Sequence, residues 1–248
     1  MKPLVSTVAT GDGTMDIHVV VPGRPGQHRQ QAVLVLQEAF GVNAHILRVC
    51  ERLAAAGYLA AAPELFHRTG RGVQFSYGDF EKVRPILGQL TNDKLLTDVR
   101  AAHEFLAGRP DVDPRRIAVI GFCLGGFATA LAACHLHVAA AVSFYGGGLA
   151  RARPGIGLTP LLEDLGNLSS PTLFIFGEKD QSIPPADVEA VRARLPAVGQ
   201  PHEIIVYPDA GHGFCCDERP SYHAATAQAA WIRAAQWLEM HLRAEPAA

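Results

Sequence analysis

The chain has 248 residues, of which 48% are apolar and 19% are charged, and its formal net charge is −2. This length fits one large α/β domain, and the apolar share supplies enough material for a core. The absence of a basic block excludes nucleic acid and anionic membranes as primary partners, so we expect a small-molecule partner and a chain compatible with a monomer.

The N-terminal segment lacks the apolar run that a signal peptide needs. No apolar run elsewhere approaches the roughly 20 residues that span a bilayer. Five cysteines are scattered along the chain: Cys50, Cys123, Cys134, Cys215 and Cys216. Their odd number and irregular spacing indicate reduced thiols, and we expect a cytoplasmic protein.

Short apolar runs typical of strands alternate with segments of helical spacing. The predicted strands are Met15–Gly23, near the sheet edge, then Ala32–Glu38, Tyr58–Pro63, Arg116–Phe122, Val138–Gly146, Pro171–Asp180 and His202–His212. The predicted helices are Ala44–Tyr58, Thr91–Pro110, Leu124–His135, Asp187–Leu195 and His223–Leu242. This alternation predicts a single α/β domain over residues 1–248, with its core at about 15–242 and a mainly parallel sheet covered by helices on both faces.

Two segments lack regular spacing. Gly146–Ser170 is rich in Gly and Pro, and Phe66–Phe80 follows a predicted strand. Long irregular segments above a sheet commonly shape a binding site, so both are expected to be pocket walls.

The sequence GFCLGG places Cys123 between Gly121 and the pair Gly125–Gly126, at a predicted strand-to-helix turn. A nucleophile at such a turn adopts a strained backbone, and glycines prevent clashes beside it. The following helix directs free N–H groups toward the thiol and lowers its pKa. The alternative is a small buried cysteine in a tight junction.

Two polar residues follow later strand ends. Asp180 ends GEKD, and His212 lies in the glycine-flanked AGHGF. The carboxyl ends of parallel strands share one sheet edge, so these side chains are expected to meet Cys123 there. The histidine would take the proton of the nucleophile, and the aspartate would fix the tautomer. Singly, each residue is equally at home in an ordinary turn.

These motifs, together with QEAFGVN at 37–43, resemble those of the dienelactone hydrolase family, a branch of the α/β-hydrolases that uses cysteine. The similarity runs from about Met15 to Leu242. The resemblance implies the α/β-hydrolase fold, a catalytic triad of Cys123, His212 and Asp180, and a supporting role for Glu38.

Glu38 also draws attention from its position, because a charge at the end of a buried strand is uncommon unless it is paired or functional. It could accept the thiol proton when substrate displaces a partner, or form only a structural ion pair with an arginine. The backbone N–H groups of Leu124 and Ala39 are the expected oxyanion donors. Cys123 would then form a thioester that water, activated by His212, hydrolyses.

The sequence says less about which residues bind the substrate. The family's namesake opens a dienelactone to maleylacetate and holds the substrate carboxylate with arginines, one of them four residues after the histidine. Here that position is Cys216, and Arg219 would substitute only if its loop bends back; otherwise it is a solvated charge. The candidates for a second arginine are Arg68, Arg71 and Arg84. Two aromatic residues, Tyr145 and Phe40, are further candidates for substrate contact.

No Cys/His spacing for a metal and no nucleotide-binding motif is present, so neither a metal nor a cofactor is expected. The predicted function is a cysteine-dependent hydrolase of a small lactone or activated ester. The alternatives are a noncatalytic binding protein for a small acid, a hydrolase of another ester or thioester, and a transferase or peptidase on the same scaffold.

Overall fold

The computed structural model describes residues 3–23, 29–195 and 199–243. Its strands are β1 Leu4–Thr10, β2 Gly13–Val20, β3 Gln30–Leu36, β4 Leu59–Pro63, β5 Val112–Phe122, β6 Ala140–Phe144, β7 Thr172–Gly177 and β8 His202–Tyr207. Its helices are α1 Ala44–Ala55, α2 Phe80–Leu87, α3 Asn92–Ala107, α4 Leu124–His135, α5 Leu162–Leu165, α6 Pro185–Arg194 and α7 Ala224–Leu242.

All eight strands form one sheet in the order β1-β2-β4-β3-β5-β6-β7-β8. Strands β3 to β8 run parallel, while β2 is antiparallel to both β1 and β4. The carboxyl ends of β3, β5, β6, β7 and β8 therefore lie along one edge of the sheet.

Helices cover both faces. Helices α1 and α7 pack on one face and α3 and α4 on the other, with α4 against β5 and β6. Strands β6 and β7 are buried along their whole length, as continuous apolar runs between two helical layers should be. The predicted mainly parallel α/β fold is confirmed.

Three elements were not predicted. Strand β1 pairs with β2, so β2 is the second strand of the sheet and not its edge. The side chains of β1 are exposed or only partly buried, so the sequence shows little apolar pattern there. Helix α2 contains Pro85, which usually ends a helix. The four-residue helix α5 is too short to show a period.

Within the described ranges, none of the helices combines the length and apolar character that crossing a membrane requires.

Candidate active site

The turn between β5 and α4 presents Cys123 at the carboxyl edge of the sheet. Its backbone has φ 54° and ψ −111°, an unfavourable conformation for a residue with a Cβ. The N–H of Cys123 donates to the carbonyl of Phe144 at 3.0 Å, which ties the turn to β6. Neighbouring structure thus holds the strained residue in place.

The glycines of the motif are required by close packing. A Cβ on Gly121 would lie 2.1 Å from the carbonyl oxygen of Gly125. A Cβ on Gly125 would lie 2.1 Å from the carbonyl oxygen of Leu36, at the end of β3. The first turn of α4 can approach the sheet this closely only without side chains at these positions.

Three side chains from separate strand ends meet at this edge. His212 Nε2 lies 3.0 Å from Cys123 Sγ, and His212 Nδ1 lies 2.7 Å from Asp180 Oδ2. The other carboxylate oxygen of Asp180 accepts the N–H of Ser182 at 2.8 Å. Asp180 is 2% exposed, so little water competes for its carboxylate. The structure thus brings together the three residues that the sequence placed at this edge.

The electrostatics of the cysteine and the histidine are coupled. Burial alone raises the pKa of Cys123, but the charge and hydrogen bond of His212 outweigh it and hold the pKa below the usual thiol value. Burial lowers the pKa of His212, whereas the thiolate and the hydrogen bond with Asp180 raise it to about 10. The geometry therefore favours the charged forms of both groups, a thiolate beside an imidazolium.

Leu124 and Ala39, whose backbone N–H groups are the predicted oxyanion donors, lie beside the same space as Cys123. Both residues line the cavity that contains Cys123. Among the described residues, neither N–H donates a hydrogen bond to another group. Two free donors beside a nucleophile have the arrangement of an oxyanion hole.

Glu38 lies beneath this site and is fully buried. Its Oε1 accepts from Arg219 Nη1 at 3.0 Å, while its Oε2 has no hydrogen-bond partner among the described residues. The loop after His212 therefore does bend back, and the side chain of Arg219 is mostly buried, with 18% of its surface exposed. Glu38 makes the arginine ion pair that the sequence left open, and no hydrogen bond joins it to Cys123 in the described structure.

The cavity above Cys123 has a volume of about 300 Å³. Its wall is mainly apolar, formed by Phe40, Tyr77, Phe80, Leu87, Phe127, Ile156 and Leu158. The predicted walls both contribute, Tyr77 from one and Ile156 from the other. A cavity of this size accommodates a small ring or a short acyl chain.

The two aromatic candidates lie in different places. Phe40 lines the cavity, and its ring contacts Tyr77 edge-to-face at a centroid distance of 4.7 Å. Tyr145 is fully buried, packs against the His212 ring at 5.3 Å and is not part of the cavity wall. The structure thus gives Tyr145 a place behind the histidine rather than a contact with substrate.

The three upstream arginine candidates point elsewhere. Arg68 binds the carboxylates of Asp12 and Asp98, Arg71 binds Asp16, and Arg84 pairs with Glu81 on the surface. The cationic wall residue that sequence reasoning missed is Arg153. The predicted wall 146–170 contains two arginines, and nothing in its pattern shows which one faces inward.

Cys216 occupies the position where the family pattern has an arginine. Its Sγ donates to the Tyr77 hydroxyl at 3.1 Å, which braces one wall of the cavity. The ligand atoms of His45, Cys216 and Asp217 lie within 4.8 Å of one another. However, Arg48 donates to the carboxylate of Asp217 at 2.9 Å, so a cation there would have to displace a guanidinium.

Comparisons with known proteins agree with this geometry. The model of the dienelactone hydrolase family matches residues 17–242. A candidate carboxymethylenebutenolidase of Synechocystis sp. is 35% identical over 93% of this chain and 100% of its own length. The carboxymethylenebutenolidase of Pseudomonas sp. strain P51 is 29% identical over 98% of this chain and 95% of its own.

A solved structure shows the same relationship. The crystal structure of a candidate dienelactone hydrolase from Klebsiella pneumoniae superposes with a TM-score of 0.84 at 32% identity, covering 95% of this chain and 97% of that one. The match of the family model over most of the chain places the protein in the dienelactone hydrolase family, whose members are carboxylic ester hydrolases.

Proposed function

We propose that the chain is a cysteine-dependent hydrolase of a small lactone or activated ester and acts through a thioester on Cys123. The observation that carries the proposal is the continuous chain of contacts from Cys123 through His212 to Asp180, at 3.0 and 2.7 Å. The names of the relatives point to a butenolide-type lactone.

In the first stage the thiolate attacks the substrate carbonyl carbon, and the new S–C bond sends the carbonyl electron pair to oxygen. The N–H groups of Leu124 and Ala39 hold this oxyanion. When it collapses, the C–O bond to the leaving group breaks, and the Nε2 proton of His212 passes to the departing oxygen. An enolate or phenolate leaves most easily, because a thiolate is itself readily expelled.

In the second stage the neutral His212 takes a proton from water. The hydroxide oxygen bonds to the thioester carbonyl, the C–S bond breaks, and the thiolate–imidazolium pair is restored. Asp180 holds the tautomer with the proton on Nδ1 and stabilises the imidazolium in both stages.

Glu38 keeps a supporting place in the proposal. Its Oε1 is engaged by Arg219 in the resting arrangement. Substrate binding that displaces Arg219 from Glu38 would free the carboxylate to accept the proton of Cys123 in its thiol form. The five unpaired cysteines are also consistent with the reducing cytoplasm expected from the sequence.

The test is ultraviolet-monitored hydrolysis of cis- and trans-dienelactone and of p-nitrophenyl acetate. Wild type is compared with Cys123→Ala and with the control Cys134→Ala, which removes a buried thiol at the far end of α4. We expect turnover that falls at least about 10³-fold in the first variant and persists in the second. Equal activity of wild type and Cys123→Ala would refute the cysteine mechanism.

A further inference from the structure

The apolar cavity above Cys123 contains two guanidinium groups, those of Arg153 and Arg219. A cation in a mainly apolar wall is unfavourable unless a partner compensates it. The two arginines differ in how this requirement is met within the structure.

Arg219 is already neutralised. Its Nη1 lies 3.0 Å from the buried carboxylate of Glu38, and its guanidinium lies over the Phe40 and Tyr77 rings at 5.7 and 5.6 Å. Recruiting it for a ligand would cost the ion pair and leave a buried carboxylate uncompensated.

Arg153 has no such partner. Its side chain makes no ion pair or hydrogen bond with any residue that the structure describes, and it is only partly exposed. Arg151, two residues earlier, is a useful contrast because it pairs with Asp187 at 3.1 Å outside the cavity. The same loop thus carries one compensated and one uncompensated guanidinium.

The loop after β6 also holds the guanidinium of Arg153 in place. A Cβ on Gly147 would lie 2.6 Å from the Nη1 atom of Arg153, so the guanidinium rests directly on glycine backbone. The carbonyl of Arg153 accepts the N–H of Ile156 at 3.1 Å and closes a turn. The position of the guanidinium is therefore defined by the loop after β6.

We propose that Arg153 is the specificity-determining residue of this site and binds a carboxylate on the substrate at a distance from the scissile carbonyl. The inference rests on the proposed function and names its substrate class: a small ester or lactone with an apolar spacer and a carboxylate. A planar guanidinium binds a carboxylate with two parallel hydrogen bonds, and an apolar surrounding strengthens the contact. Arg153 supplies this recognition from a loop other than the one that carries Cys216.

The experiment uses matched p-nitrophenyl esters. The anionic set consists of the mono-esters of succinic, glutaric and adipic acid, and the neutral set consists of the butanoate, pentanoate and hexanoate. The readout is the ratio of kcat/KM between the two members of each pair. The variants are Arg153→Met, Arg153→Lys, Arg219→Met and the control Arg151→Met.

We expect wild type to prefer the anionic member of at least one pair, and Arg153→Met to lower that ratio by about 10- to 100-fold. Arg153→Lys should restore part of it, and Arg151→Met should keep the wild-type ratio. The inference is overturned if Arg153→Met lowers both kcat/KM values equally, if the ratio does not change, or if only Arg219→Met lowers it.

A binding measurement separates failure of this inference from failure of the proposed function. Calorimetric titration of glutarate into Cys123→Ala and into Cys123→Ala/Arg153→Met needs no turnover. Binding weakened at least about tenfold by the second substitution supports the anion site even if no ester is hydrolysed. Equal or undetectable binding to both proteins overturns it, whatever the esterase activity.

Gly147→Ala provides an independent variant that keeps the charge. Its Cβ would occupy the place of the Arg153 guanidinium, whose flexible end must move. We expect the preference for anionic esters to decrease. An unchanged preference would contradict the packing of the Arg153 guanidinium against Gly147.

Discussion

Different interactions position the side chains at the carboxyl edge of the sheet and those in the two loop walls above it. At the edge, Cys123, Asp180 and His212 are positioned by the parallel strands β5, β7 and β8 and by glycines that allow close packing. The walls 66–80 and 146–170 are long connections, and the direction of each arginine in them depends on which carboxylate it meets. The backbone thus positions the three proposed catalytic residues, whereas the carboxylates within reach decide which arginines of the walls face the cavity.

Asp180→Asn should cause the largest effect at the edge. The amide cannot compensate the imidazolium and can favour the wrong tautomer of His212. We expect kcat/KM to fall by about 10³-fold, with thermal stability within a few degrees of wild type. Asp209→Asn is the control, because Asp209 is exposed and, among the residues that the structure describes, forms its ion pair with the exposed Lys179. A similar loss in both variants would mean that Asp180 has no special role.

Gly125→Ala tests whether the edge depends on close packing. The new Cβ would lie 2.1 Å from the carbonyl oxygen of Leu36, so α4 must move away from β3. We expect a loss of about 3 kcal/mol in the free energy of unfolding, measured with urea. Gly13→Ala is the control, because a Cβ there meets nothing within 4 Å. Equal stabilities would show that the turn tolerates a side chain.

Arg68→Met tests whether the arginines of the walls are directed by the carboxylates that they bind. Arg68 joins the fully buried Asp98 to Asp12, so its loss leaves a buried carboxylate with less compensation. We expect a loss of about 2 kcal/mol in unfolding free energy and no change in the preference between anionic and neutral esters. Arg84→Met, at an exposed ion pair, should change neither quantity. A changed ester preference in Arg68→Met would return Arg68 to the substrate site.

The smallest predicted effect is a shift in a pH profile. The imidazolium of His212 favours the charged form of Cys123, so its pKa is lowered and the thiolate is already present below the usual thiol pKa. The iodoacetamide rate should rise with pH through this lowered value and then level off. Burial raises the pKa of Cys134 to about 12, so that thiol should remain unlabelled. Peptide mass spectrometry reads both sites, and a midpoint for Cys123 above the free-thiol value would contradict the ion pair.

The sequence showed which strand ends carry Cys123, Asp180 and His212, because strand ends and glycines leave local signals. Cys123 sits in a recognisable turn, and Asp180 and His212 follow apolar strands. The walls gave no equivalent signal. Nothing in their pattern shows that Arg68 turns to Asp98 or that Arg153 faces the cavity while Arg151 does not. The loop after His212 likewise gave no sign that Arg219 folds back onto Glu38. Such directions depend on partners distant in sequence. Helix α2 was missed for a local reason, because it contains Pro85 and proline usually ends a helix.

The most direct test of the central claim is to trap the acyl-enzyme. The protein is mixed with excess p-nitrophenyl acetate, quenched in acid during turnover, digested and analysed by peptide mass spectrometry. We expect one acetyl group on the peptide that contains Cys123, formed with the burst of p-nitrophenol and lost as substrate runs out. A burst with the acyl group on another residue, or turnover with no acylated Cys123, would contradict it.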